Sequence, residues 1–206
     1  LSHISTCRSP MQMFASLLKD QSAKAAKKMY HVAVMPCTGK KFEAAREEFA
    51  QDGIPNVDAV LTTQELIRML KESGIMFSEL EPEAIDMPFG MVSGAGVIFG
   101  VTGGVTEAVL RRVVSNKSRS ELLSIANAGQ RGTDGFKEFE VPYGDRTLRI
   151  AVVSGLRHAE EVLARVAAGE HFDCIEVMAC PGGCVCGALQ DVPLSFAAAI
   201  EALSAA

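Results

Sequence analysis

Three cysteines fall at positions 180, 184 and 186 within the stretch EVMACPGGCVCG, in a chain of 206 residues that has six cysteines in all. Thiols spaced this closely suit a disulfide knot, a redox pair or a cradle of thiolates around a metal. Six cysteines in so long a chain are too sparse for a disulfide-built secreted scaffold, and a thioredoxin-type C-x-x-C is absent. Pro181, Gly182 and Gly183 leave the backbone between Cys180 and Cys184 almost bare, free to curl and aim successive N–H groups at sulfide or thiolate charge. A cubane iron–sulfur cluster requires four cysteine ligands. A zinc knuckle more often uses C-x2-C spacing with histidine nearby, and His171 is distant in sequence. Metal binding is therefore favoured, and iron–sulfur over zinc by a smaller margin.

A second candidate is VMPCTGKKFE. Cys37 follows an expected strand and precedes an expected helix start, where backbone N–H groups and the helix dipole favour a thiolate. Lys40, one turn onward, adds a positive charge for an anionic ligand. A lone cysteine is by default a small core residue; the strand–Pro–Cys–helix order with a lysine weighs towards function. Met35 and Met178 each stand two residues before one of these cysteines. Singly they read as core filler; together they would make a soft, apolar lid over a metal. GAGVIFGVTGG carries G-x-G-x-x-x-G, but no clear strand precedes it, so close backbone approach to a bulky group or tight helix packing is the safer reading. There is no Walker P-loop and no G-x-S-x-G elbow, and the histidines at 3, 31, 158 and 171 show no ligand spacing.

The elements that must position these residues follow from periodicity. Ser9, Pro10 and Gln12 make a helix start with a capping box, and Met11, Phe14, Ala15 and Leu18 give it one apolar face. YHVAVMPC reads as a strand, KKFEAAREEFAQD as a charged helix stopping at Gly53, NVDAVLTT as a strand and TQELIRMLKESG as a helix. Residues 75–92 form a long connection, and a glycine-rich bend leads into a helix over TEAVLRRVV. FKEFEVPYGDRTLRIAVVSG alternates about YGD as a hairpin would. HAEEVLARVAAG reads as a helix, FDCIEVMA as a buried strand and LSFAAAIEALSAA as a terminal helix. This alternation predicts an α/β fold of two lobes, with mainly parallel sheets flanked by helices. The seam is expected near 117–135, with residues 1–125 forming a first lobe with its leading helix and 126–206 part of a second. Ligands in such sheets gather beyond the carboxyl ends of the strands, where Cys37 and Cys180 both fall.

Composition excludes several classes. With 48% hydrophobic and 22% charged residues the chain can bury one sizeable core or two small lobes and is not a disordered segment. Net charge is −5 and no basic block extends beyond Lys27-Lys28 and Lys40-Lys41, so nucleic acid is not an expected partner. No apolar run approaches the roughly 20 residues of a membrane span. A start at Leu1 without a signal-peptide pattern is what an excised domain or a processed product would show.

MPCTGKKFEA together with EVMACPGGCVCG closely resembles two of the three signature motifs of the iron-only, or [FeFe], hydrogenase catalytic domain. STCRSPMQMF, DAVLTTQEL and SGAGVIFGVTGGVTEA look like the segments that family places between them, so the likeness runs from about Ser5 to Gly187. The resemblance implies an H-cluster held between two α/β lobes: a [4Fe-4S] cubane joined through a cysteine to a diiron subcluster bearing CO, CN and an amine-containing dithiolate. It implies Cys37, Cys180 and Cys184 as metal ligands, with Cys184 bridging the two parts, and Lys40 as a hydrogen-bond donor to a cyanide. It also implies that Met35 and Met178 pack against the diiron unit, that Phe99 lines the same pocket, and that Ser5 belongs to the proton path. The implied activity is reversible oxidation of H2 to protons and electrons in anaerobic hydrogen metabolism. A ferredoxin-type or cytochrome-type electron carrier and maturation proteins are the implied partners, and the cytoplasm the implied location, with the periplasm as alternative. Two departures stand out. The family's first motif, of Thr-Ser-Cys-Cys-Pro type, would precede Ser5, so the fourth cubane ligand is expected from an upstream segment or another chain, and turnover is expected to need it. After Gly187, ALQDVP replaces a Gly-Gly-Gln-Pro type continuation. Cys7 falls where the family uses no cysteine ligand. Hydrogenase-like proteins of cytosolic iron–sulfur assembly, which share similar cysteine motifs without a diiron unit, are the main alternative, and a sensory hydrogenase-like module is the third.

Overall fold

The structure, a computed structural model, describes residues 4–86, 89–91, 93–113, 120, 135–143 and 145–190. The chain divides into two compact units, Leu1–Glu81 with Ala188–Asp191, and Pro82–Gly187 with Val192–Ala206. The expected seam at 117–135 lies, apart from Ser120 and Gly135, outside the described residues, as does the expected terminal helix over 194–206.

In the first unit, helix α1 (Pro10–Lys24) starts where its signals place it, with Ser9 accepting the Gln12 N–H and Pro10 at the first helical position. The capping box is only half made. The Gln12 side chain turns into the core instead, where its Oε1 accepts from Asn56 Nδ2 at 3.5 Å. Met11 and Ala15 pack with Val57 and Val60, while Phe14, expected on the apolar face, is 50% exposed. Strand β1 (Val32–Met35) pairs in parallel with a strand over Ala59–Thr62, in register Val32↔Ala59 to Met35↔Thr62.

Between these strands the sequence expectation fails. The charged run folds as a six-residue helix, α2 (Gly39–Ala44), then a single 3-10 turn at Glu47–Phe49. Two short strands follow, β2 (Ala50–Gln51) and β3 (Ile54–Pro55), paired antiparallel. Asp52 and Gly53 both take positive φ, 51° and 76°, the backbone of a two-residue hairpin turn that Asp-Gly favours. The parallel partner of β1 is therefore β4 (Ala59–Thr62), which runs into α3 (Thr63–Glu72) through a complete Thr62–Glu65 capping box.

The second unit begins with a short helix, α4 (Gly94–Val97), a 3-10 turn at Ile98–Gly100 and helix α5 (Gly104–Val113). The hairpin is present, β5 (Phe136–Tyr143) antiparallel to β6 (Arg146–Ser154), and helix α6 (Leu156–Ala167) follows. Strand β7 (Cys174–Met178) pairs in parallel with β6, so the three-stranded sheet has the order β5-β6-β7 and is mixed. Ala151, Val152 and Val153 of the central strand are wholly buried, each valine contributing about 1.5–3 kcal/mol relative to exposure. FDCIEVMA was expected to be a buried strand; among the described residues β7 is an edge of this sheet, and Val177 is 48% exposed. Helices set against strands in both units give the expected α/β class. Among the described residues no helix is long and apolar enough to cross a membrane.

Candidate metal centre

Strand β7 delivers Met178, half-buried, and then Cys180 at its carboxyl end. The turn beyond uses Gly182 and Gly183 at φ +84° and +100°, a conformation that side chains rarely adopt. Gly183 donates to Cys180 O at 3.0 Å, Cys186 to Gly183 O at 3.1 Å and Gly187 to Cys184 O at 2.9 Å, so the loop winds into a 3-10 turn over Cys184–Cys186.

What holds this loop is buried polar backbone. Ser154, at the end of β6 and 2% exposed, accepts the Gly182 N–H at 2.8 Å and donates to Cys180 O at 3.5 Å. Thr102 Oγ1 donates to Ser154 Oγ at 3.3 Å, and the Thr102 N–H to Gly182 O at 3.1 Å. A methyl group on Gly183 would meet Gly100 O at 2.5 Å and Thr102 N at 2.6 Å, so backbone lies on backbone. The glycine-rich GAGVIFGVTGG segment is thus the floor under the cysteine loop, and Phe99 sits half-buried in its 3-10 turn. Cys180, Cys184 and Cys186 are half-buried. Burial pushes the Cys186 thiol up, as do Cys180 and Cys184 beside it, which places all three in one electrostatic neighbourhood.

In the first unit, β1 ends at Met35, half-buried, and Cys37 lies just beyond its carboxyl end. A methyl on Gly39 would come to 3.6 Å from the Cys37 sulfur, so the first residue of α2 leaves the thiol an open flank. Lys40 Nζ stands 2.6 Å from Glu43 Oε2, and Ser9 Oγ donates to Glu43 Oε1. Ser5 is exposed; it lines a cleft of about 540 Å³ with Cys7, Ser9, Gly39 and Glu43, and its hydroxyl accepts the Cys7 N–H at 3.1 Å. The altered segment after Gly187 is held in this unit: Leu189 donates to Pro36 O at 3.1 Å and Thr63 Oγ1 to Gln190 Oε1 at 2.8 Å.

The structure therefore gathers Cys180, Cys184 and Cys186 in one loop, with Met178 at the end of the strand that leads into it, while Cys37, Met35, Lys40 and Ser5 belong to the first unit. Among the described residues no three His, Cys, Asp or Glu side chains stand in metal-holding geometry.

A family model of the iron only hydrogenase large subunit, C-terminal domain, matches residues 1–188. The chain belongs to that family. The NADP-reducing hydrogenase subunit HndD of Solidesulfovibrio fructosivorans is 45% identical over 190 residues, 90% of this chain and 32% of its own length. The periplasmic [Fe] hydrogenase large subunit of Nitratidesulfovibrio vulgaris is 42% identical over 199 residues, covering 93% and 47%. Cytosolic iron-sulfur assembly component 3 of Rattus norvegicus is 37% identical over 201 residues, covering 92% and 42%. The chain thus spans about a third to a half of the length of these relatives. A solved structure of apo [FeFe]-hydrogenase HydA1 from Chlamydomonas reinhardtii aligns with a TM-score of 0.70 at 30% identity, over 98% of this chain and 60% of that one.

Membership in this iron-hydrogenase family agrees with the donors present. Three thiols on a bare glycine loop, with neither carboxylate nor imidazole among them, are soft ligands suited to iron–sulfur chemistry. Around the cysteine loop, Ser154, Thr102 and Glu176 escaped the sequence reading. Ser154 and Thr102 give no local signal, since they act across a turn far from them in sequence. Glu176 gives one: a carboxylate amid the apolar residues of a strand must find partners. It accepts from Gly103 N at 2.7 Å, Thr106 N at 2.7 Å and Thr106 Oγ1 at 2.6 Å, tying β7 to the start of α5.

Proposed function

We propose that this chain is the H-cluster-holding part of an [FeFe] hydrogenase, an enzyme for the reversible oxidation of H2 to protons and electrons. One observation carries the reading. Each of two parallel-paired strands, β1 and β7, ends on a methionine with a cysteine two residues beyond, Met35 with Cys37 and Met178 with Cys180. Hydrogenases 45% and 42% identical to the chain support it.

Cys37, Cys180 and Cys184 would hold a [4Fe-4S] cubane, with Cys184 shared by a diiron subcluster carrying CO, CN and a dithiolate. When bound, that group supplies the redox chemistry of H2. The chain's own residues do the rest. The half-buried thioethers of Met35 and Met178 offer apolar, polarizable surface to neutral ligands and keep water out. Phe99 adds an apolar wall. Lys40, an ammonium with three donors, keeps two of them for an anionic cyanide while Glu43 takes the third. Ser5, exposed at the cleft, is both a donor and an acceptor and so passes protons between solvent and the interior. A ferredoxin-type or cytochrome-type carrier exchanges the electrons, maturation proteins install the diiron unit, and an upstream segment or another chain supplies the fourth cubane ligand. The location in this reading is the cytoplasm; the Nitratidesulfovibrio relative is periplasmic.

The test is infrared spectroscopy of protein produced with the hydrogenase maturation proteins. With the upstream segment or partner chain that supplies the fourth cubane ligand present, sharp bands of bound carbon monoxide and cyanide, lost in Cys184→Ser, together with H2 evolution from a reduced viologen, are the expected result. Without it, turnover should be absent. Cubane absorption without those bands selects the second reading, an iron–sulfur assembly protein, which the 37% identity to the assembly component favours.

A further inference from the structure

The ammonium of Lys40 is not left to find its own direction. It lies 2.6 Å from Glu43 Oε2, three residues along α2, and the two side chains are only 23% and 19% exposed. The other oxygen of that carboxylate accepts from Ser9 Oγ, which in turn accepts the Gln12 N–H at 3.3 Å as the N-cap of α1. A hydroxyl has one proton; with a lone pair turned to the amide, that proton goes to Glu43. Each polar atom along Ser9–Glu43–Lys40 thus has one duty, and α1 is linked to α2 through a single carboxylate.

Among the described residues Glu43 is the one side chain that engages the Lys40 ammonium. α2 is six residues long, has no side-chain cap at Thr38 and buries no residue. A lysine stem has more rotamer freedom to lose than most side chains. The neighbouring pair, Lys41 with Glu65 at 2.8 Å, is more exposed, 39% and 46%, and Glu65 is already committed to the Thr62 capping box. A surface pair of that kind contributes little. The Lys40 pair differs by its burial and by the hydroxyl that pins its acid.

We propose that Glu43, itself fixed by Ser9, is the positioning residue of Lys40. It engages one of the three ammonium donors and presents the others to the anionic ligand. The inference rests on the reading of Lys40 as a cyanide partner and deepens it.

The experiment labels the lysines of the cluster-free protein with 13C-dimethyl groups, which keep the positive charge, and assigns the Lys40 signal by its loss in Lys40→Arg. Glu43→Gln keeps the size of the side chain and an acceptor for Ser9, so the fold is preserved while the ion pair is lost. It should narrow the Lys40 methyl line about twofold as the stem gains freedom and leave the Lys41 line unchanged. Glu43→Asp, with its charge kept on a shorter arm, should restore part of the width. An unchanged Lys40 line in Glu43→Gln overturns the positioning role whatever cofactor the protein holds. In the matured protein, Glu43→Gln should move the cyanide stretching band in the direction that Lys40→Met moves it, and by less; a band moved by Lys40→Met but not by Glu43→Gln also overturns it. A narrowed line in a protein that never shows carbon monoxide or cyanide bands upholds the positioning and sinks the diiron reading instead.

Discussion

Cys37 and Cys180 both follow a methionine that closes a parallel-paired strand, yet the chain beyond each is secured differently. Beyond Cys37 the work falls to side chains. A six-residue helix with no buried residue is tied by the Lys40–Glu43 pair and the Ser9 hydroxyl. Beyond Cys180 it falls to the backbone, through two left-handed glycines, one lying against the chain of Gly100 and Thr102, and amide and carbonyl groups joined to a buried serine. A region held by side chains tolerates added atoms and suffers from altered charge. A region held by backbone ignores charge and cannot accept a methyl group.

Gly183→Ala should have the largest effect. Left-handed strain costs about 1–3 kcal/mol at a residue of this kind. The new Cβ would also sit 2.5 Å from Gly100 O, a backbone atom that cannot swing aside. Iron content after reconstitution should fall to that of Cys180→Ala, and thermal unfolding should move to lower temperature. A variant that loads iron like the parent would show that the loop is not held by its backbone.

Next comes Ser154→Ala. It leaves the Gly182 N–H buried beside a methyl group, a cost of about 1–3 kcal/mol. Thr102→Ala removes only a 3.3 Å bond to the same hydroxyl and should cost less. Iron release to a chelator, followed by absorbance, should quicken in that order, Ser154→Ala before Thr102→Ala. Equal rates in the two variants would mean that the serine bears no special share.

The second unit also contains a clasp made wholly of side chains, which sharpens the contrast within one fold. Arg149 and Arg165 both pair with Glu138 and Glu170, and their guanidinium groups lie over Phe172 at 4.6 and 5.0 Å. Hydrogen bonds from Arg165 and then Arg149 hold the Glu170 carboxyl down at about 2, against an ordinary value of 4.5. A carboxyl depressed on folding stabilises the native state in full above its unfolded value. That contribution is lost as the pH falls from 4.5 through about 2. Glu170→Gln should therefore lower the unfolding midpoint at neutral pH and flatten its decline across that acid range, as read by thermal melts. A decline that keeps its slope in the variant would assign the acid sensitivity to another group.

The sequence signals that succeeded were local ones. Ser9-Pro10 begins α1, the hairpin expected from the alternation of 136–155 forms as β5 and β6, and each Met-x-Cys run closes a strand. Where two local signals competed, the stronger-looking one misled: the charged periodicity of KKFEAAREEFAQD reads as helix, but the Asp52-Gly53 turn builds a hairpin. The remaining failures are tertiary. Whether β7 is buried depends on which strands flank it, and Phe14 is exposed because α1 turns Gln12 to the core. Glu43 finds its second partner 34 residues away and Glu176 its own about 70 residues away. The cysteines of a metal centre are legible because their chemistry is in the residue type. The groups that hold them are not, because a serine or a glycine acquires that role only from what folds against it.

The smallest expected effect belongs to Gly39→Ala, the counterpart of Gly183→Ala beside the first cysteine. Gly39 opens α2 outside the left-handed region, and its Cβ would rest 3.6 Å from the Cys37 sulfur, an ordinary van der Waals distance. Alanine is the better helix former by up to about 1 kcal/mol in a helix interior, and by less in the first turn. The melting temperature should hold or rise slightly, and iron content should match the parent. Should Gly39→Ala instead lose iron as Gly183→Ala is expected to, the open flank of Cys37 would itself be occupied space in the loaded protein. The Cys37 segment would then be a backbone cradle like the Cys180 loop, with Glu43 an addition to it and not its support.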